Sequence, residues 1–393
     1  MDVKTNLEPV LNVALHNMDI IVLLLFLICC FIFTYIERRY KIKNFIWLVI
    51  IPFCVIAATR SIDVPDTEIY SNYYLMEDSD LSYFSDFGFE FGYQLVTKLS
   101  KSVFQDNFSI YFGIISLLNS LLIFFAIKQF FKVFYTGNSD VTEYEDDKSN
   151  KIILNSATFY ILYLAFYGFY VNFIVLRVGI AFSIILLAVS IALRENKKIK
   201  DYILIVLFAI LSVLFHSTAL IGIIIILVIL LAKQYSWKFY SIALFLIGVF
   251  YFVNITSRLG NAVFGYITSL NTLTLLSNKL GNYGGESLFM AEGISMKFVF
   301  YWMMAIILLF TKGNYSKQFY KVFNVFLLGL LLFALMRSIL LIERVTDYFL
   351  LFSFVLFFVF IEKKEGWKFW MYYVGIVLVQ IIFVMRIINR DIV

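Results

Sequence analysis

The chain has 393 residues, of which 62% are apolar or aromatic and 15% charged, with 32 Lys and Arg against 27 Asp and Glu for a net charge of +5. Soluble domains run at about 45–50% apolar and about 25% charged, so this surplus, with a mean hydropathy of +0.88, excludes an ordinary aqueous domain and points to a membrane protein. The basic excess is mild and carries no basic stripe with interleaved aromatics, so nucleic acid is not a partner to expect.

The N-terminus carries acidic residues and one Lys before Met18 and lacks both a basic n-region and an A-x-A cleavage site, so the first apolar run reads as a retained helix. Apolar runs between polar breaks predict helices near 18–36, 45–59, 108–127, 152–171, 173–193, 202–215, 217–232, 239–255, 298–311, 322–337, 344–361 and 369–386. At roughly 20 residues per span, twelve would occupy about 240 positions. The expectation is therefore a single all-α membrane domain over 1–393, with about twelve transmembrane or re-entrant helices. Assigning loops alternately to the two sides places 20 of the 32 Lys and Arg in the short loops of one side. Short basic loops stay in the cytoplasm. The 128–151 loop, with its acidic run Glu143, Glu145, Asp146 and Asp147, is then cytoplasmic, and the loops 60–107 and 256–297 and the N-terminus face outward. The three cysteines, Cys29, Cys30 and Cys54, lie in apolar runs and read as small buried hydrophobes.

Residues 202–232 form 31 apolar positions between Lys200 and Lys233. That run would measure about 46 Å as one helix against a hydrocarbon thickness of about 30 Å, too long for one crossing and too short for two. It predicts a hairpin of two short or re-entrant helices with its tip at Phe215, His216, Ser217 and Thr218. Residues 322–361 repeat the pattern, with Arg337, Glu343, Arg344 and Asp347 in the middle.

An Arg at the centre of a span costs roughly 2.5–3.5 kcal/mol on insertion scales, so such residues usually have a purpose. Arg177 lies near the outward end of its helix, where snorkelling is the bland alternative. Arg337 and Arg344 would share a face if their helix were continuous, and a structural ion pair with Glu343 or Asp347 is the plain explanation. Arg60 alone is a routine boundary residue. Four guanidiniums converging at one membrane face make a receptor for a diphosphate, because Arg presents a planar fork to phosphate oxygens. His216, at the hairpin tip, could serve as a base or donate to phosphate, or be a satisfied structural group. A single outward His cannot build a metal cluster, although a carboxylate-bound divalent ion stays open. The loop from Arg60 to Tyr93 mixes Asp63, Asp66, Glu68 and Glu90 with Tyr70, Tyr73, Tyr74, Phe89 and Tyr93, a combination suited to sugars and equally to a solvated loop with an interfacial aromatic belt. The segment Gly281–Glu286 lacks P-loop spacing and reads as flexible loop, with Tyr283 kept as a substrate-binding candidate.

Arg60 through Asp66-Thr67 and Tyr70, Phe89-Glu90 with Gly92-Tyr93, Arg177 with Ala181, Phe215-His216-Ser217 with Ala219 and Leu220, and Glu343-Arg344 with Tyr348 together resemble the EpsG-like branch of Wzy-type polysaccharide polymerases. Pro65 departs from the pattern, which has glycine before the Asp-Thr pair. The resemblance implies a GT-C-like membrane fold in the bacterial plasma membrane that polymerises undecaprenyl-diphosphate-linked oligosaccharides, without cofactor or metal. It implies catalytic roles for Asp66, Glu90, His216, Arg177 and Arg344. It implies substrate contacts from Arg60, Tyr70, Tyr93, Ser217, Tyr283, Arg337 and Tyr348. Its partners would be the lipid-linked oligosaccharides, the lipid bilayer and a chain-length regulator. A flippase for the same glycan and an O-antigen ligase are the rivals. Against the flippase, no internal repeat is visible, and Pro52 alone of three prolines interrupts a span.

Overall fold

The computed structural model describes residues 8–40, 42, 45–62, 64–75, 89–105, 107–135, 156–254, 293–311, 315–337 and 342–388, with side chains described except at 8–21, 135 and 342–344. Every regular element among the described residues is helical. Four helices are long and apolar enough to cross a membrane, at Phe108–Phe134, Lys317–Leu335, Val345–Glu362 and Gly366–Ile388, and five apolar helices are shorter. The chain divides into two compact units, 1–220 with 366–393, and 221–365.

In the first unit α1 spans Glu8–Tyr40, α2 Ile46–Ala58, α3 Thr67–Leu75, α4 Phe91–Phe104 and α5 Phe108–Tyr135. The run expected at 152–171 is interrupted: α6 (Ser156–Tyr163) passes through a π-helical stretch, Leu164–Gly168, into α7 (Phe169–Phe173). After a break at Ile174 and Val175 come α8 (Leu176–Ala192) and α9 (Ile199–Phe215). The final helix, α16, is Gly366–Ile388.

α8 is the axis of this unit. It packs on α5 and α9, and nearly every residue from Gly179 to Ala192 is buried. Gly179 also lets α8 approach α7 closely: a Cβ there would lie 2.8 Å from Val171 Cβ and 2.9 Å from the Val171 carbonyl oxygen. A helix apolar on every side is one enclosed by other helices.

The 60–107 segment contains two helices that the sequence reading treated as loop. α4 turns Gly92, Tyr93, Thr97 and Ser100 inward and leaves Phe91, Leu95, Leu99 and Val103 exposed. The apolar stripe is therefore the outer face, as suits a helix against hydrocarbon. Polarity of the whole segment concealed it. Cys29 is exposed, contrary to the burial expected, because α1 turns Cys29 and Cys30 to different sides.

The second unit takes up most of α10 (Leu220–Leu231), then α11 (Trp237–Val253), α12 (Met296–Phe310), α13 (Lys317–Leu335), α14 (Ile342–Leu350) and α15 (Ser353–Glu362). Ser236, Ser295 and Ser316 cap three of these helices, each accepting the amide of a phenylalanine three residues on. Tyr251 stacks on Phe298 at 3.7 Å between ring centres and ties α11 to α12.

The long run 202–232 breaks where expected. His216 has an extended backbone (φ −158°, ψ 126°), Ser217–Ala219 form a 3-10 turn, and helices of 17 and 12 residues flank them. The second such run also breaks: α13 closes at Leu335 and α14 opens at Ile342. Arg337 and Arg344 therefore do not share the face of one continuous helix. Tyr283 and the Gly281–Glu286 segment lie outside the described residues.

Candidate active site

α2 ends at Ala58, Thr59 closes it by donating its amide to the Val55 carbonyl, and the next side chain, Arg60, turns into the first unit with 8% of its surface exposed. Its guanidinium lies 3.7 Å above the Phe112 ring and donates Nη1 to the Asn172 carbonyl. That carbonyl is available because α7 stops there: the amides of Ile174 and Val175 both return to Tyr170. Asn172 is itself fixed, donating Nδ2 to the Gly168 carbonyl at 2.8 Å and accepting Asn119 Nδ2 at 3.0 Å. Nε and Nη2 of Arg60 have no hydrogen-bond partner among the described residues. Burial lowers the Arg60 pKa to about 10, against the raising influence of Tyr93, Tyr70, Tyr111 and Asp66. The group is still a cation at neutral pH.

The break before α8 also places Arg177 in that helix's first turn, where it leaves the packed interior. Its Nη1 donates to Glu90 Oε2 at 2.8 Å, and its guanidinium lies 4.4 Å over Phe89. Glu90 Oε1 accepts the Ser217 amide at 3.0 Å. Burial pushes the Glu90 carboxyl up, but His216, Arg177 and the Ser217 amide outweigh it and hold the group below its ordinary value. Glu90 is thus a carboxylate with each oxygen already engaged.

His216 accepts the Thr218 amide on Nδ1 at 3.2 Å, with the Thr218 hydroxyl 2.7 Å from the same atom. In that arrangement the proton of the neutral ring sits on Nε2. In that neutral form His216 presents Nε2–H as a donor, while its protonated form carries the charge that lowers the Glu90 pKa.

Pro65 and Asp66 occupy the centre of a tight turn closed by the Thr67 amide on the Val64 carbonyl at 3.0 Å. Pro supplies the first central residue and Asp66, at φ 63°, takes the left-handed second one. The Asp66 carbonyl then accepts the Tyr70 amide at 3.1 Å and opens α3. Its side chain is half-buried and acts electrostatically on Arg60 and Tyr70. The Tyr70 phenol interacts electrostatically with both Arg177 and Arg60. One cluster therefore gathers Arg60 and Tyr70 beside the hydrogen-bonded chain of Arg177, Glu90 and Ser217. It joins the end of α2, α3, the turn before α4, the start of α8 and the break after α9.

Tyr70 and Tyr93 do not offer open ring faces to a sugar. They are 4% and 0% exposed, their ring centres 5.8 Å apart, with Tyr70 tilted against a stack of Tyr73, Phe89 and Tyr93. Tyr70 meets the cluster through its phenol, and Tyr93 is packing.

In the second unit Arg337 lies 4.6 Å over Tyr251 and donates to the carbonyls of Tyr251, at 3.0 Å, and Gly293. Asp347 forms an ion pair with Lys297 at 2.5 Å. Tyr348 is buried in α14, and the Arg344 side chain lies outside the described residues. Of the four arginines expected to converge, Arg60 and Arg177 are brought together around Tyr70.

Asn119, Asn172 and Lys297 were missed by the sequence reading. Each is a polar residue within or beside an apolar run, a signal of the same kind as Arg177 but carrying less charge or sitting at a loop boundary. A family model described as the EpsG family matches residues 43–391. No curated protein and no solved structure matches the chain.

Proposed function

The chain belongs to the EpsG family, a family of Wzy-like polysaccharide polymerases, and on that premise we propose that it joins undecaprenyl-diphosphate-linked oligosaccharide repeat units on the outer face of the plasma membrane. The growing chain is the donor and a single lipid-linked repeat unit the acceptor. About twelve crossing or re-entrant helices in a GT-C-like arrangement, N-terminus outward, would carry the site to the lipid headgroups. A chain-length regulator is a proposed partner.

The observation that carries this reading is the gathering of Arg60, Arg177 and the Ser217 amide around Tyr70 and Glu90. In the step, an acceptor hydroxyl oxygen bonds to the donor's anomeric carbon as that carbon's bond to phosphate oxygen breaks. The electron pair leaves with the lipid diphosphate. Arg60 and Arg177 are fixed before the charge develops, one on Phe112 and Asn172, the other on Phe89 and Tyr70, so they stabilise the leaving group without reorganising. His216 would add a donor from Nε2.

The hydroxyl proton goes to a carboxylate or imidazole of the cluster, with Asp66, Glu90 and His216 as the three candidate bases. In the second unit Arg344 is proposed as a catalytic residue, and Arg337, Tyr283 and Tyr348 as substrate-binding residues. The lipid diphosphate is an activated leaving group, so neither metal nor cofactor enters the proposed step.

The test is reconstitution of the purified protein with a lipid-linked repeat unit, with a ladder of extended glycans expected on a gel. A strain lacking the protein should carry surface glycan of single repeat units. Lipid-linked units accumulating unflipped in the cytoplasmic leaflet would replace this reading with the flippase.

A further inference from the structure

Glu90 occupies the N-cap of α4, with an extended backbone at φ −72° and ψ 152°, yet its side chain makes no cap hydrogen bond. A polar side chain at that position ordinarily takes an amide of its own first turn. Here it reaches away to two donors from other elements. One is a guanidinium and the other a backbone amide, one to each oxygen.

That pair of donors is the kind that receives phosphate oxygens. Neither depends on Glu90 for its place. Arg177 is also held over Phe89 and by Tyr70, and the Ser217 amide is set by the break at His216. The clasp is also within reach of a ligand, since the Arg177 and Glu90 side chains are 22% and 15% exposed.

We propose that the Glu90 carboxylate is an internal stand-in for a phosphate: it keeps the Arg177 guanidinium and the Ser217 amide organised, and yields both to a phosphate of the lipid diphosphate when that group arrives. The inference rests on the donor class given above. Once released, Glu90 can turn back toward the Gly92 amide in the first turn of α4 and cap its own helix. The exchange offsets part of what the carboxylate loses, and it prevents Arg177 from standing uncompensated between turnovers.

The experiment uses the full-length protein in lipid nanodiscs with undecaprenyl diphosphate as the probe. Glu90→Gln keeps the shape but removes the competing charge, so it should bind the probe about tenfold tighter than wild type, while Arg177→Ala should bind it poorly. Difference infrared spectra of the wild type, which require no variant to fold, should show a carboxylate band shifting on probe addition, absent from Glu90→Gln. Equal or weaker binding by Glu90→Gln, or a wild-type carboxylate band that stays still, overturns the stand-in role. Glycan extension measured in the same nanodiscs separates the two ideas. Extension with the band unmoved sinks the stand-in and leaves the polymerase. A shifted band with no extension sinks the polymerase and leaves the anion exchange.

Discussion

Arg177 and Glu90 meet at 2.8 Å across 87 positions of sequence, and the pair joins the start of the most buried helix to the turn before α4. The carboxylate's other oxygen reaches the Ser217 amide. Three segments with no local relationship therefore converge on one anion.

Arg177→Ala should abolish extension, by at least about 100-fold, because a fixed cation at the leaving group is worth that much. The protein should still insert and accumulate, since α8 is held by its apolar packing and Arg177 lies at the helix end. Glycan ladders on a gel, normalised to protein by immunoblot, check this. Arg344→Ala is expected to behave alike, and normal ladders from both would remove the mechanism.

Arg60→Met separates a functional from a structural guanidinium. Replacing a buried charge by an apolar side chain of similar volume is often neutral or stabilising. One carbonyl, on Asn172, loses its donor, at a cost of about 1–3 kcal/mol. The melting temperature should therefore change little while extension falls steeply. Full activity in this variant would take Arg60 out of the leaving-group site.

Gly92 is a contact point between α4 and α9. A Cβ there would stand 2.9 Å from the Leu214 carbonyl oxygen and 3.1 Å from its carbon, so backbone has to move. Gly92→Ala should cost about 1–3 kcal/mol by overpacking and shift Glu90 away from Ser217, lowering both thermal stability and extension rate. An unchanged melting curve would show that the two helices part easily.

Glu90 imposes a pH dependence on stability. Its native value lies below the ordinary carboxylate value of 4.5, so the unfolded chain takes up the proton more readily than the native one. The pair then stabilises the protein above pH 4.5, and that contribution fades as pH falls through the lower native value. Thermal unfolding of wild type and Glu90→Gln, followed from neutral to acidic pH, should differ at neutrality and converge in acid. Parallel curves would mean that Glu90 titrates alike in both states.

Lys297 and Asp347 form a buried pair at 2.5 Å, 9% and 4% exposed. Removing one partner leaves a buried charge less compensated and should cost about 3–5 kcal/mol, whereas replacing both with apolar residues should restore most of it. Unfolding of Lys297→Met, Asp347→Leu and the double variant tests this. Equal losses in single and double variants would assign the stabilisation to something other than the pair.

Composition by itself pointed to a membrane protein, because about three fifths apolar residues have no aqueous alternative, and the length of the apolar runs made it helical. Periodicity and length located the break at His216, since a run too long for one crossing has to be interrupted where polar residues permit it. The residues carrying the family likeness were legible too, and so were Arg177, Glu90 and Ser217 as separate candidates.

Only the tertiary structure decided which of them are neighbours. Arg60 looked like a boundary residue because its burial depends on Phe112 and on the Asn172 carbonyl freed by a helix end far along the chain. Asp347 meets Lys297 through a contact spanning 50 positions. α3 and α4 were hidden in a polar segment because the inward face of α4 is small and polar and its outward face apolar, the reverse of a soluble helix. Local sequence sets where a helix starts and stops. Partners brought together by packing depend on distances that no local pattern encodes.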